Sequence, residues 1–317
     1  MPDYTLITEP HQVADVAERF VAKAQWLAID TESNILFVYQ PRVCLIQMNV
    51  EGVLLVFDTM ALMQADPLAL EPLRPYLEDG QRLIFAHGAA NDVSTFKRDF
   101  DISLNGLFDT QRAAQLAGLA HTNYGAVVES LLSVSLSKDY THYNWGLRPI
   151  ELEPLRYALE DVVYLPQVGH MLRARVQELG VEEELAAVNR MLMAMPSHPR
   201  RLDDLALVHS IRGTGNLDPV QLGVMGALFL WRDAKAREFD RPCGSVISNE
   251  RLVKIARALD PNVPPRPTSN VRTVRRKCLE PQPPPNQEEG EEEDGGEEAE
   301  EDEEEEAPPA PPEQQGR

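Results

Sequence analysis

With 317 residues, 43% of them hydrophobic and 26% charged, the chain has the composition of a globular protein and the length of one large or two ordinary domains. Its 51 acids and 30 bases leave a formal net charge of −21, unevenly placed: residues 281–317 carry −15, residues 201–280 carry +5, and residues 1–200 carry −11. Cys44, Cys243 and Cys278 show no CxxC spacing, which argues against a disulfide framework or a cysteine-rich zinc site and fits a reducing, cytoplasmic setting. Residues 1–10 lack a signal-peptide pattern and no run of about 18 apolar residues occurs, so neither secretion nor a membrane span is expected.

Val13, Val16, Ala17, Phe20, Val21 and Ala24 recur at helical spacing, which predicts an amphipathic helix over 11–24 with Thr8 available as its cap. Three short apolar runs follow, Trp26–Ile29, Val43–Met48 and Val53–Phe57. They are too short for helices and read as strands in meander order. A fourth strand is expected at Leu83–Ala86 and a fifth at Gly106–Phe108, with helical patterns dominating to residue 193. Strands first, with helices among and after them, describe an α/β domain on one mixed sheet. Pro196-Ser-His-Pro-Arg-Arg201 reads as a linker and 202–260 as all-helical. From Pro281 the chain combines proline with glutamate runs and almost no large apolar residue, a composition that cannot recover the entropy of ordering; disorder is expected there.

Chemistry is suggested at three places. Strand Leu27-Ala-Ile-Asp30-Thr-Glu32 directs two carboxylates to one side at period two. Co-directed acids repel, so a cation between them makes sense of the pair, and magnesium or manganese prefers oxygen ligands; two acids on a solvated loop account for the spacing equally well. Asp92, after the fourth strand, opens a helix, where an acid complements the macrodipole. In Tyr157-Ala-Leu-Glu-Asp161, helical spacing separates a Tyr157/Asp161/Tyr164 face from a Leu155/Leu159/Val162 stripe, and an ordinary wet face is the simple account of it.

The three places together resemble the exonuclease motifs of the DEDD superfamily, in the subclass with tyrosine in its third motif: Asp30-x-Glu32, Asp92, then Tyr157-x-x-x-Asp161. Ala28-Ile-Asp-Thr-Glu-Ser33, Phe108-Asp-Thr-Gln111, Trp145-Gly-Leu-Arg-Pro149 and Tyr157-Ala-Leu-Glu-Asp-Val162 narrow the resemblance to the ribonuclease D family over roughly residues 1–195. His87 stands five residues before Asp92, the histidine subclass's spacing, but five before Asp161 stands Arg156; His87 is read as a satisfied polar residue near the site. Leu230-Trp-Arg-Asp-Ala-Lys-Ala-Arg237, Arg241-Pro242, Val246-Ile247 and Leu252-Val-Lys-Ile-Ala256 resemble the helical (HRDC) domain shared by RecQ-type helicases and ribonuclease D, with Trp231 read as core. This domain departs from its family at 261–280, which is Pro-rich and then basic.

The resemblance implies a ribonuclease H-like mixed sheet with flanking helices (1–195), a linker (196–201), a small all-α domain that is shortened (202–280) and the acidic tail (281–317). It implies that Asp30, Glu32, Asp92 and Asp161 bind two divalent ions, Mg²⁺ or Mn²⁺, about 3.5–4 Å apart, for hydrolysis from RNA 3′ ends with release of 5′ nucleotides. Tyr157, with an ordinary pKa of about 10, is expected to orient the attacking water. RNA with a free 3′ end, tRNA precursors among them, is the expected partner, and a monomer the expected state. A single-strand DNA exonuclease of the same fold and an inactive RNA-binding scaffold are the alternatives.

The tail adjoins basic Arg272, Arg275, Arg276 and Lys277, which could neutralise phosphates. A solvated appendage is the simpler account, since charge runs usually stay solvated; it predicts equal RNA affinity for the full chain and residues 1–280 at about 50 mM salt. A tail competing with RNA, at an effective concentration up to the millimolar range, instead predicts tighter binding on truncation, with the gap closing as salt rises.

Overall fold

The structure is a computed structural model describing residues 3–137, 139–197 and 205–258, with the backbone alone at Leu205. The basic stretch and the acidic tail lie outside the described residues, as does part of the expected linker. The strands are β1 (Tyr4–Ile7), β2 (Trp26–Ser33), β3 (Val43–Val50), β4 (Val53–Asp58), β5 (Leu83–Ala86) and β6 (Leu107–Asp109). They form one sheet in the order β1-β4-β3-β2-β5-β6. The central β2-β3-β4 meander is antiparallel, as the three apolar runs predict, while β1, β5 and β6 join in parallel.

The helices are α1 (Pro10–Arg19), α2 (Thr59–Ala65), α3 (Arg74–Leu77), α4 (Ala90–Phe100), α5 (Thr110–Leu116), α6 (Tyr124–Leu132), α7 (Leu152–Val163), α8 (Leu165–Leu179), α9 (Glu182–Met193), α10 (Pro219–Glu238), α11 (Cys243–Val246) and α12 (Asn249–Ala258). Two details differ from the sequence expectation. Strand β1 is new; its half-exposed residues give no alternation to read, and its one partner, β4, is some fifty residues away. Helix α1 is capped by Glu9 rather than Thr8, because Gln12 Oε1 turns back to accept from the backbone N–H of both residues, and it ends at Arg19.

Alternation along the strands divides the core in two. Leu27, Ile29, Ile46, Met48, Leu55 and Phe57 pack with α1 and α4 residues such as Val13, Val93 and Phe96. The opposite face is covered by α7 and α8: Leu45, Leu54 and Val56 pack with Leu155, Ala158, Leu159 and Val162, and Ala28 and Phe85 with Val168 and Leu172. Helix α8 approaches the sheet so closely that a Cβ on Gly169 would stand 2.3 Å from the Phe85 ring. Arg148 fastens the segment entering α7: its guanidinium donates to both Asp58 carboxylate oxygens at 2.6 and 2.7 Å and to the Cys44 and Trp145 carbonyls.

Residues 205–258 carry an apolar cluster of their own, centred on Met225, Phe229, Ile247, Leu252 and Val253, with Trp231 packed against it. Buried Arg232 ties α10 to the α11–α12 turn through Ile247 O and Asn249 Oδ1. The next residue, Asp233, accepts a 2.7 Å bond from the hydroxyl of Tyr39, in the β2–β3 loop. Arg237 lies over the Tyr39 ring, and Asp240 accepts from the Tyr39 backbone N–H. Among the described residues no helix is long and apolar enough to cross a membrane.

Tyr39→Phe removes the hydroxyl from Asp233, a carboxylate only 4% exposed, and leaves Arg237 at 3.4 Å to face it. The expected loss is about 1–3 kcal/mol, read in a thermal melt as a fall of roughly 2–4 °C per kcal/mol; an unchanged Tm contradicts the assignment of this contact.

Candidate active site

Asp30 and Glu32 leave β2 on the face covered by α7, beyond the point where pairing with β5 stops at Ala28. Helix α7 buries its predicted Leu155/Leu159/Val162 stripe, together with Pro154 and Ala158, and this seating brings Asp161 down to the sheet. One carboxylate oxygen each from Asp30, Glu32 and Asp161 lies within 4.8 Å of the others. Asp92, in the first turn of α4, stands beside this trio rather than within it: its Oδ1 accepts from the Thr31 hydroxyl at 2.5 Å. Thr31 lies between Asp30 and Glu32 in β2, so the same strand that carries two acids also holds the third. Among the described residues no cation pairs with any of the four.

Their electrostatics follow from that crowding. Burial first, then the charges of Asp161, Asp92 and Glu32, push the Asp30 carboxyl well above the usual range. Glu32 is raised in the same way by burial, Asp161 and Asp92. Burial lifts Asp92 to about 6 against the opposing Thr31 hydrogen bond; burial, Glu160 and Asp92 lift Asp161 to about 7. Hard oxygen donors whose carboxyls are raised by burial and by one another's charge fit a divalent cation, whose charge would favour their ionised form. The Tyr157 hydroxyl faces Thr141 Oγ1 at 3.5 Å and its ring tilts against Tyr140; burial, with a smaller contribution from the acids, raises its pKa above 10. It therefore stays protonated at neutral pH.

His87 is satisfied on both sides. Burial lowers its pKa, its Nε2–H donates to the Thr122 carbonyl at 3.0 Å, and Nδ1 faces the Thr110 hydroxyl at 2.9 Å. Two supporting residues escaped the sequence reading. Asp109 is fully buried, and its carboxylate accepts from the backbone N–H groups of Gly88, Ala89, Gln111 and Arg112. It caps α5 and at the same time secures the turn that opens α4, where Asp92 sits. A capping acid is visible in Phe108-Asp-Thr-Gln111; the partner turn, twenty residues upstream, is not. Tyr124 packs on His87, and burial, then Asp161 and Asp30, raise its pKa well above 10. Nothing in its local sequence signals that position.

A mixed sheet of this order with flanking helices is the architecture of the ribonuclease H-like exonucleases. The family model described as 3′-5′ exonuclease matches residues 4–177, more than half of the chain, and the chain belongs to that family. The HRDC domain model matches residues 221–263. The chain is similar to ribonuclease D of Xanthomonas oryzae pv. oryzae, 30% identical over 253 residues, 79% of this chain and 67% of that one. It is also similar to Protein RRP6-like 1 of Arabidopsis thaliana, 27% identical over 270 residues, 81% of this chain and 41% of that one. Among solved structures, Escherichia coli RNase D, described as an exoribonuclease involved in structured RNA processing, superposes with a TM-score of 0.67 at 25% identity, covering 87% of this chain and 73% of that one. The chain spans 41% of the Arabidopsis relative and 63% of the ribonuclease D of Gluconacetobacter diazotrophicus.

The raised carboxyl pKa values predict a pH dependence for the metal-free protein. The native state holds protons that the unfolded chain releases above about pH 4, so stability present at acid pH is lost as pH rises through about 6 and about 7. In EDTA, Tm is expected to fall across that window, and Asp30→Asn, which removes one of the repelling charges, to raise Tm at pH 8. A wild-type Tm that rises with pH there, or an Asp30→Asn chain that melts lower, contradicts the repulsion.

Proposed function

We propose that the chain is a 3′→5′ exoribonuclease that hydrolyses phosphodiester bonds from RNA 3′ ends and releases 5′ nucleotides. The observation that carries this reading is the gathering of Asp30, Glu32 and Asp161 oxygens within 4.8 Å, beside Asp92, on an exonuclease-family domain. The choice of RNA rests on the relatives, which are ribonucleases by name; nothing in the acid cluster itself reads a ribose 2′-OH. Precursors of tRNA are the substrates we put first, the active form we propose is a monomer, and the site of action is the cytoplasm.

In this reading Asp30, Glu32, Asp92 and Asp161 hold two divalent ions, Mg²⁺ or Mn²⁺. When bound, such a pair supplies Lewis acidity toward the attacking water and the leaving 3′ oxygen of an in-line displacement. The chain's own groups do the rest. Thr31 fixes the rotamer of Asp92 through their 2.5 Å bond, and Asp109 fixes the turn in front of it. Tyr157, protonated at neutral pH, keeps its proton and orients the water through its hydroxyl oxygen, since a phenol with a raised pKa is a poor general base at pH 7. Catalysis belongs to residues 1–195, and the helical segment from 202 onward is an accessory to it.

The deciding assay compares 3′-extended tRNA, single-stranded RNA and single-stranded DNA in Mg²⁺, Mn²⁺ and EDTA. Activity on RNA that EDTA abolishes supports the reading; activity confined to DNA, or none on any substrate, overturns it. Asp30→Ala and Asp161→Ala are expected to lose activity by orders of magnitude while still folding. Tyr157→Phe is expected to lose roughly 10²-fold, the scale of a proton-handling or positioning group, with metal binding retained. A Tyr157→Phe chain as inactive as Asp161→Ala, with metal binding also lost, contradicts this division of roles.

A further inference from the structure

Strand β3 is buried along its whole length, and in the middle of it, between Ile46 and Met48, stands Gln47. Its side chain is 0% exposed, and among the described residues neither Nε2 nor Oε1 has a hydrogen-bond partner. An unpartnered amide in such a place costs stability that leucine or methionine would not cost, so its position asks for a reason.

The register supplies one. Gln47 is paired directly with Asp30 of β2 on one side and with Val56 of β4 on the other. Directly opposed residues of an antiparallel pair leave the same face of the sheet with Cβ atoms about 4.5–5.5 Å apart, so the Gln47 and Asp30 side chains leave the sheet side by side, and of its two direct partners Asp30 alone is polar. The α7 residues over this face, Leu155, Ala158, Leu159 and Val162, are apolar. Asn49, two residues further along the same face, makes the contrast. Its amide donates to Val162 O at 3.0 Å and accepts from Gly52 N at 2.9 Å, so a buried amide here can be fully used for structure. Gln47, beside the acids, is not used so.

Asp92 already has its side-chain donor, Thr31; Asp30 has none among the described residues. We propose that Gln47 is the positioning residue of Asp30: its amide N–H₂ group donates to the Asp30 carboxylate when that carboxylate holds divalent cations, fixing which oxygen faces the ions. A carboxylate that binds a cation through one oxygen still has acceptor capacity, and outer donors of this kind orient ligands and strengthen metal binding. The inference rests on the metal-binding reading of the acid cluster and adds to it a residue outside the three motifs.

The test uses the full-length chain with Gln47→Leu and Gln47→Met, two apolar residues of similar volume, the second unbranched in case the first packs poorly. Mn²⁺ binding is measured by calorimetry without RNA, and Tm is measured in EDTA. The expected result is a Tm at or above that of the wild type with Mn²⁺ affinity weakened about 10–100-fold. In the nuclease assay the Mg²⁺ concentration for half-maximal activity rises, and at saturating Mg²⁺ kcat falls while KM for RNA holds. Wild-type Mn²⁺ affinity in both variants overturns the inference, whatever their Tm. A wild-type chain that binds no Mn²⁺ overturns the metal-site reading and this inference with it, whereas normal binding by wild type and variants alike overturns this inference alone.

Discussion

Four carboxylates that repel one another have to be held within reach by a frame stiff enough to resist them. Each acid is mounted on an element whose position is determined elsewhere. Asp30 and Glu32 ride on β2, clamped between antiparallel β3 and parallel β5. Asp161 is pressed against the sheet by the buried stripe of α7, and Asp92 is placed by a turn that Asp109 holds with backbone hydrogen bonds. Repulsion is unfavourable locally, but it is spread over the apolar packing of both sheet faces, where no single contact has to balance it.

That division of labour decides what a reader of the sequence can see. The meander was legible because Trp26–Ile29, Val43–Met48 and Val53–Phe57 are dense apolar runs with turns between them, and the fold class followed. The acids were legible only through the resemblance that three local motifs carry together: two residues of one strand, one residue at a helix start, and a tyrosine four residues before an aspartate. Asp109, Tyr39 and Tyr124 were not, since each acts through a partner far along the chain, and neither was Gln47. The Tyr39–Asp233 bond joins residues 194 apart, and no periodicity announces it. Gln47 is hidden in another way. In an apolar strand a single glutamine looks like noise until the register places it opposite Asp30.

Buried polar groups on the α7 face of the sheet sort by distance from the acids. Asn49, next to the β3–β4 turn, spends both ends of its amide on backbone, one end on Val162 of α7 and the other on Gly52. Asp58, at the end of β4, is neutralised by Arg148 and in return fastens the segment that leads into α7. Both secure the helix that delivers Asp161, from its two ends. Between them the polar groups are the acids themselves and the unpartnered amide of Gln47. The sheet face thus satisfies its polar groups at the margins, while at its centre the Gln47 amide has no partner among the described residues.

The helical segment fits the same logic from outside. Its contact with the sheet domain through Tyr39 falls on the loop that continues directly from the Asp30–Glu32 strand, and it is polar and aromatic: a hydroxyl on a buried carboxylate, a guanidinium over a ring and a backbone N–H on a second carboxylate. Such a contact is directional, since hydrogen bonds weaken steeply with misalignment, whereas an apolar contact tolerates sliding. Asp233 is supplied by the same turn of α10 whose Arg232 organises the helical cluster. The order of the Trp231-Arg-Asp233 run therefore has two physical reasons: its arginine builds the helical segment, and its aspartate aligns that segment on the loop at the end of the acid-bearing strand.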